Sequence, residues 1–280
     1  LTSDATTGHL VVKLIFQGVF VQTLAVPGLI DVPAPGRCRA RRNWRRAALA
    51  LLVAGACVAG WQWARPMLAE RLAEAMLPAQ KLGLGQGVLR ELDIHTLAPS
   101  RLPLLQQQRL ASALAGLQAP HEGAPPHRLS FRSGQAGAVA FALPSGDIIL
   151  DDALVQALPD EAALLAVLAH ELGHLQRRHM LKRLVQEAML PTAAGMATGE
   201  MGWIVASAAA LAPQLVWPQH AEMEADAYAA DLLEHNGLSL RSLQEAPQAL
   251  HALGGMQHPH LTLHPLSGER LARLRERAAP

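Results

Sequence analysis

Aromatic side chains are scarce in this chain: one Tyr, four Phe and five Trp amount to 4% of 280 residues, while half of all residues are hydrophobic. Ala and Leu therefore supply most of the apolar surface, and they favour helix over strand. A mainly α protein with a small β-sheet (α+β) is expected. An excess of charge of one sign is also lacking. Lys and Arg total 24 against 23 Asp and Glu, a formal net charge of +1. The broad basic face on which nucleic-acid binding depends is missing, so no nucleic-acid partner is expected. Cysteine is nearly absent: Cys38 lies in a basic stretch and Cys57 in an apolar run. The two have neither the spacing of a disulfide framework nor that of a zinc ribbon. No internal repeat is found, so the length corresponds to one good core plus an appendage.

Four regions follow from the pattern along the chain. Residues 1–46 form a tail that ends in a basic flank of Arg37, Arg39, Arg41, Arg42, Arg45 and Arg46. Residues 47–64 carry no charge, and a helix of that length just crosses a bilayer core. Trp61 and Trp63 stand at its far end, where amphipathic rings favour the headgroup layer. The arginines predict a cytoplasmic N-terminus and a single span, with everything after Arg65 across the membrane. In a Gram-negative bacterium that is an inner-membrane protein with a periplasmic domain. Ala54-Gly55-Ala56-Cys57 also admits a lipoprotein processed at Cys57. Residues 65–120 read as a helical connector, with amphipathic stretches at Met67–Leu77 and about Leu102–Leu117 joined through the Gly-rich Lys81–Gly87. The Pro- and Gly-rich run from Ala119 to Pro126 marks a boundary. In the remaining domain, 121–280, Leu129–Phe131, Ala138–Leu143 and Asp147–Leu150 read as short strands, with Pro144-Ser145-Gly146 as a turn.

The chemistry is concentrated further on. Pro159 at a first helical position, with Asp160 and Glu161 beside it, starts a long helix running to about Gln186. That helix contains His170-Glu171-Leu172-Gly173-His174. Four residues turn a helix by about 400°, so both imidazoles leave one face and can share one ion. Glu171, rotated by about 100°, can reach a water without ligating the metal. A catalytic zinc needs a third protein ligand and one open position. A second helix, started by Pro218 and ended by Gly237, supplies candidates. Glu222 is the preferred ligand, with His220 and Glu224 as rivals on other faces. Asp226, one turn beyond Glu222, can orient a ligand histidine. The site is thus metal ligands His170, His174 and Glu222, catalytic base Glu171, and Asp226 behind the ligands.

Val167-Leu168-Ala169-His170-Glu171-Leu172-Gly173-His174, then Arg178-His179, then the segment Glu222 to Asp226, resemble zinc metallopeptidase family forty-eight. These gluzincin peptidases include HtpX-like, CAAX prenyl and OMA-type proteases. Ala140 to Gly146 resembles the strand and turn before the family's active-site helix, and His264-Pro265 with Arg270 resembles its C-terminal motif. The resemblance covers about residues 129–275. The family commonly has Asn where Val139 stands and Ser-Arg where Pro218-Gln219 stand. The resemblance implies a zincin-like domain, a Zn2+ cofactor and hydrolysis of misfolded or membrane-associated proteins. His264 and Arg270 are candidate transition-state donors, and Val139, Ala140, Phe141 and Ala142 a candidate substrate strand. His179 reads equally as a support behind the ligands or as a solvated residue. Met189–Trp217 reads as a helical hairpin over the cleft or as a membrane-dipping element. A chaperone-like binding protein with a structural metal is the rival from another class, and the intact Glu171 argues against it.

Overall fold

A computed structural model of the chain describes residues 37–121, 124–134, 137–158, 160–188 and 216–278. The expectations for residues 1–36 and Pro159, and all but the last two residues of the Met189–Trp217 segment, lie outside them. The chain divides into two units at Ala56 and Cys57. The first, described from residue 37, is helical throughout. It begins α1, Arg37–Ala75, within which the expected span lies. Trp44–Ala75 is long and apolar enough to cross a membrane, with a mean hydropathy of 1.6 over its most apolar window and none of that window buried.

The second unit is α+β, as expected, and the connector departs from its reading. Met67–Leu77 is not a separate helix; it continues α1 almost to α2, Pro78–His95. The Gly-rich Lys81–Gly87 lies inside α2 instead of interrupting it. Glycine there serves close approach: a Cβ on Gly85 would sit 2.3 Å from the Ser145 backbone nitrogen. The connector also contributes β1, Leu97–Pro99, before α3, Leu104–Ala115.

Strands β2 (Arg128–Gly134), β3 (Ala140–Ala142) and β4 (Asp147–Asp151) complete a sheet of order β1-β2-β4-β3. β2 and β4 are parallel, and both outer pairs are antiparallel. Among the described residues β3 is thus a sheet edge. Along β4 the side chains alternate between two cores. Ile148 and Leu150 join Ala140, Ala142 and Phe131 under the active-site helix, while Ile149 joins Phe141 and Leu143 under α2. Covered on both faces, β4 is buried along its whole length, which explains its unbroken apolar run.

After the short α4 (Asp152–Ala157), the active-site helix divides in two, which corrects the single helix expected to Gln186. α5 is Glu161–Gln176 and α6 is His179–Ala188. Asp160 caps α5 by accepting from the Ala163 N–H at 2.7 Å. Every residue of α5 from Ala163 to Leu175 is buried, as befits a helix apolar on all sides. Then come α7 (Gln219–His235), α8 (Arg241–Gly254), a 3₁₀ turn (Gly255–Gln257), α9 (Pro259–Leu263) and α10 (Gly268–Arg277).

Candidate metal centre

Two helices in unusually close contact build the site. A Cβ on Gly173 would lie 2.6 Å from the Ala225 carbonyl oxygen and 2.7 Å from its Cα, so α7 sits on α5 where no larger residue fits. This brings Glu222 over the exit face of His170 and His174. His174 Nε2 lies 3.1 Å from His170 Nε2 and 3.2 Å from Glu222 Oε1, and His170 Nε2 lies 3.4 Å from Glu222 Oε2. His264, just beyond α9, adds Nδ1 at 3.2 Å from His170 Nε2 and 3.0 Å from Glu222 Oε1. One ligand atom from each of these four residues lies within 4.8 Å of all the others.

The donor set fits zinc. Donors about 2.0–2.1 Å from a tetrahedral ion stand roughly 3.3 Å apart, close to the separations found. The two Nε2 atoms converge with the Glu222 carboxylate on one point, the arrangement in which all of them can share one cation. All five polar side chains, Glu171 included, are at most 4% exposed, and unpaired polar burial on that scale is costly. His220 is exposed and Glu224 lies half out at 47%; neither belongs to the donor set.

Behind the ligands stands a buried ionic frame. His170 Nδ1 lies 2.8 Å from Asp226 Oδ1. Arg270 grips that carboxylate twice, Nε to Oδ2 at 2.7 Å and Nη2 to Oδ1 at 2.8 Å. It also donates to the Pro265 carbonyl at 3.0 Å and pairs with Glu222. Its guanidinium is thus engaged by both carboxylates and a carbonyl of this frame. Burial opposes the charge on Asp226, but His170 and Arg270 overcome it and hold the carboxyl down at about 2. Burial likewise opposes charge on His170 and is overcome by Glu222 and Asp226, so in the metal-free cluster its pKa is raised to about 10. For Glu171 burial prevails and pushes the carboxyl up, against the pull of His264 and His170.

Glu171 Oε1 faces His264 Nε2 at 3.3 Å, and both atoms are buried without a hydrogen-bond partner. Next to them runs the free side of β3. Asp151 N–H donates to the Val139 carbonyl and Leu143 N–H to the Asp147 carbonyl. Val139 and Leu143 therefore bond inward to β4, and by alternation Ala140 and Ala142 present N–H and C=O off the edge. The Ala140 N–H meets His260 Nδ1 at 3.4 Å, and the Ala142 backbone hydrogen-bonds Glu171. The sequence reading missed His260, which also stacks on His264 with ring centroids 4.5 Å apart. It also missed Trp217, whose buried ring lies 4.8 Å from that of His174. Position just before a helix N-terminus was the one available signal for Trp217; His260 gave none beyond its residue type.

Residues 104–278 match peptidase family M48. The chain belongs to this family. It carries the HExxH-type group of His170, His174 and Glu222, suited to the zinc of this peptidase family. It is 33% identical over 147 residues to metalloprotease LoiP of Escherichia coli (strain K12), an overlap of 49% of this chain and 58% of LoiP. It is 30% identical over 161 residues to the beta-barrel assembly-enhancing protease of the same strain, covering 50% and 32%. The corresponding protease of Yersinia pestis is 28% identical over 158 residues, covering 50% and 32%. The chain therefore spans 58% of the length of LoiP and about a third of the other two.

Proposed function

We propose that this M48 peptidase is an endopeptidase of the bacterial envelope that cleaves misfolded or membrane-associated proteins. The observation that carries the reading is the placement of Glu171 between the metal donors and the free edge of β3. Bound zinc supplies a Lewis acid that polarises the scissile carbonyl and lowers the pKa of water. Glu171, raised by burial, accepts the water's proton and delivers it to the leaving amine. His264 stands beside both the donor group and Glu171, its Nε2 3.3 Å from Glu171 Oε1, and would be the neighbouring donor for the oxyanion.

Substrate enters as an added strand on Val139 to Ala142. An extended chain satisfies its backbone on such an edge with little demand on sequence. It replaces His260 and Glu171 as partners of Ala140 and Ala142, so these side chains hold the edge while it is empty. Purified protein should cleave unfolded casein, and Ala140→Pro, which deletes one outward N–H, should raise KM several-fold with zinc content unchanged. That is the effect of one net hydrogen bond of about 1 kcal/mol. A zinc-loaded parent that leaves casein intact sinks the peptidase reading. A well-folded Ala140→Pro protein with parental kinetics sinks only the edge.

The relatives' names, among them a beta-barrel assembly-enhancing protease, support substrates in the envelope. We assign residues 47–64 as an inner-membrane anchor, 65–120 as a connector and 121–280 as a periplasmic peptidase domain, with β1 of the connector joining its sheet. A phosphatase reporter fused after Pro280 should be active. Activity from a cytoplasmic reporter alone would reverse the topology, and palmitate incorporation at Cys57 would replace the span by a lipid anchor.

A further inference from the structure

The break between α5 and α6 occurs at an unfavourable residue. Arg178 has φ +56, the only positive φ at a non-glycine position among the described residues. The left-handed conformation is unfavourable for a side-chain-bearing residue, and glycine is the usual occupant where a helix ends this way. Its consequence is local. In an unbroken helix His179, five residues beyond His174, would point about 140° away from it. With the turn at Arg178, His179 starts α6 and folds back, and its Nδ1 comes to 3.0 Å from His174 Nδ1. Its other nitrogen, Nε2, reaches Glu224 Oε2 at 3.3 Å. Glu224 lies two residues past the ligand Glu222, on the other helix of the site.

We propose that His179 and Glu224 form a positioning arm that fixes the tautomer and the ring plane of His174 and thereby sets zinc affinity. The atoms allow one consistent proton arrangement. His174 must offer Nε2 to the metal, so its proton lies on Nδ1 and is donated to His179 Nδ1. His179 then carries its own proton on Nε2 and donates it to Glu224. His179 is buried, and its two nitrogens face one partner each, His174 and Glu224. His170 is fixed from the opposite side by Asp226 and Arg270. The two ligand histidines are therefore held by separate devices, one fully buried and the other ending on a half-exposed carboxylate.

The arm rests on His174 being a zinc ligand, and its test separates the two. In the detergent-solubilised full chain, zinc affinity is measured by competition with a chromophoric chelator, and the ligand field by the visible spectrum of the cobalt-substituted protein. His179→Phe keeps an aromatic ring of similar size beside Trp217, whose centroid lies 6.1 Å away, but removes both nitrogens. It should weaken zinc binding about 10–100-fold and shift the cobalt bands. Glu224→Ala should weaken binding several-fold, and Glu224→Gln, which still accepts from His179, should restore it. Parental affinity and spectrum in His179→Phe would overturn the arm, because a packing role alone predicts that result. If His179→Phe does not fold, parental affinity in Glu224→Ala overturns it. A parent protein that binds no zinc overturns the ligand assignment itself.

Discussion

Glu171→Gln should keep one zinc per chain and lose casein cleavage by about 10²–10⁴-fold, the usual range for removal of a general acid–base group. The substitution keeps size and shape, and the amide oxygen can still accept from the Ala142 backbone, so β3 should hold its place. His170, His174 and Glu222 are untouched, so metal content should not change. What disappears is the group that accepts a proton beside the metal donors and passes it to the leaving amine. Glu171 is suited to this task because burial pushes its carboxyl up from the ordinary range, toward the pH at which it works. The loss should fall on kcat and kcat/KM alike, since the interaction belongs to the transition state. Metal analysis alongside initial rates decides the matter. Parental cleavage by a zinc-loaded Glu171→Gln protein would remove Glu171 from the chemistry. If the chain instead only held unfolded proteins around a structural metal, the variant and its parent would be indistinguishable.

Local rules made much of the site legible in the sequence. Helical periodicity placed His170 and His174 on one face, and Pro218 marked where the second ligand helix begins, because these signals act over one or two turns. The short strands were readable from their bounded apolar runs, and β3 lies at the sheet edge among the described residues. What escaped depends on contacts distant in sequence. Gly85 and Gly173 look like weak points in helices, yet each is where another backbone passes too close for a Cβ. The break at Arg178 could not be read because arginine carries no signal for a left-handed turn; tertiary contacts of His179 favour it. β1 is three residues long and is a strand through its pairing with β2. The twofold grip of Arg270 on Asp226 was not legible either, because sequence gives residue type and order but not the direction of a side chain.

That direction makes the remaining prediction a test of what Arg270 does. In Arg270→Met a flexible apolar chain of similar length fills the space, and the carboxylates of Asp226 and Glu222 lose the cation that joins them. Arg270 is 4% exposed, Asp226 6% and Glu222 0%, so water cannot replace it. Leaving buried charges uncompensated in this way costs about 3–5 kcal/mol, a large share of the roughly 5–15 kcal/mol that separates folded from unfolded domains. The metal-free protein should therefore unfold at a clearly lower denaturant concentration, or fail to fold. Zinc should recover part of the loss, because its charge compensates Glu222 directly, while Asp226 keeps only His170. Arg270→Lys should rescue poorly, since one ammonium cannot make the paired contacts to Asp226 and still reach Glu222 and the Pro265 carbonyl. An arginine that instead met the oxyanion would give a different result: stability close to the parent's and kcat lower by about 10²–10³-fold. Unfolding midpoints with and without zinc, measured beside casein cleavage, separate the two. A change in unfolding free energy below about 1 kcal/mol would contradict the framework role that the twofold grip on Asp226 supports.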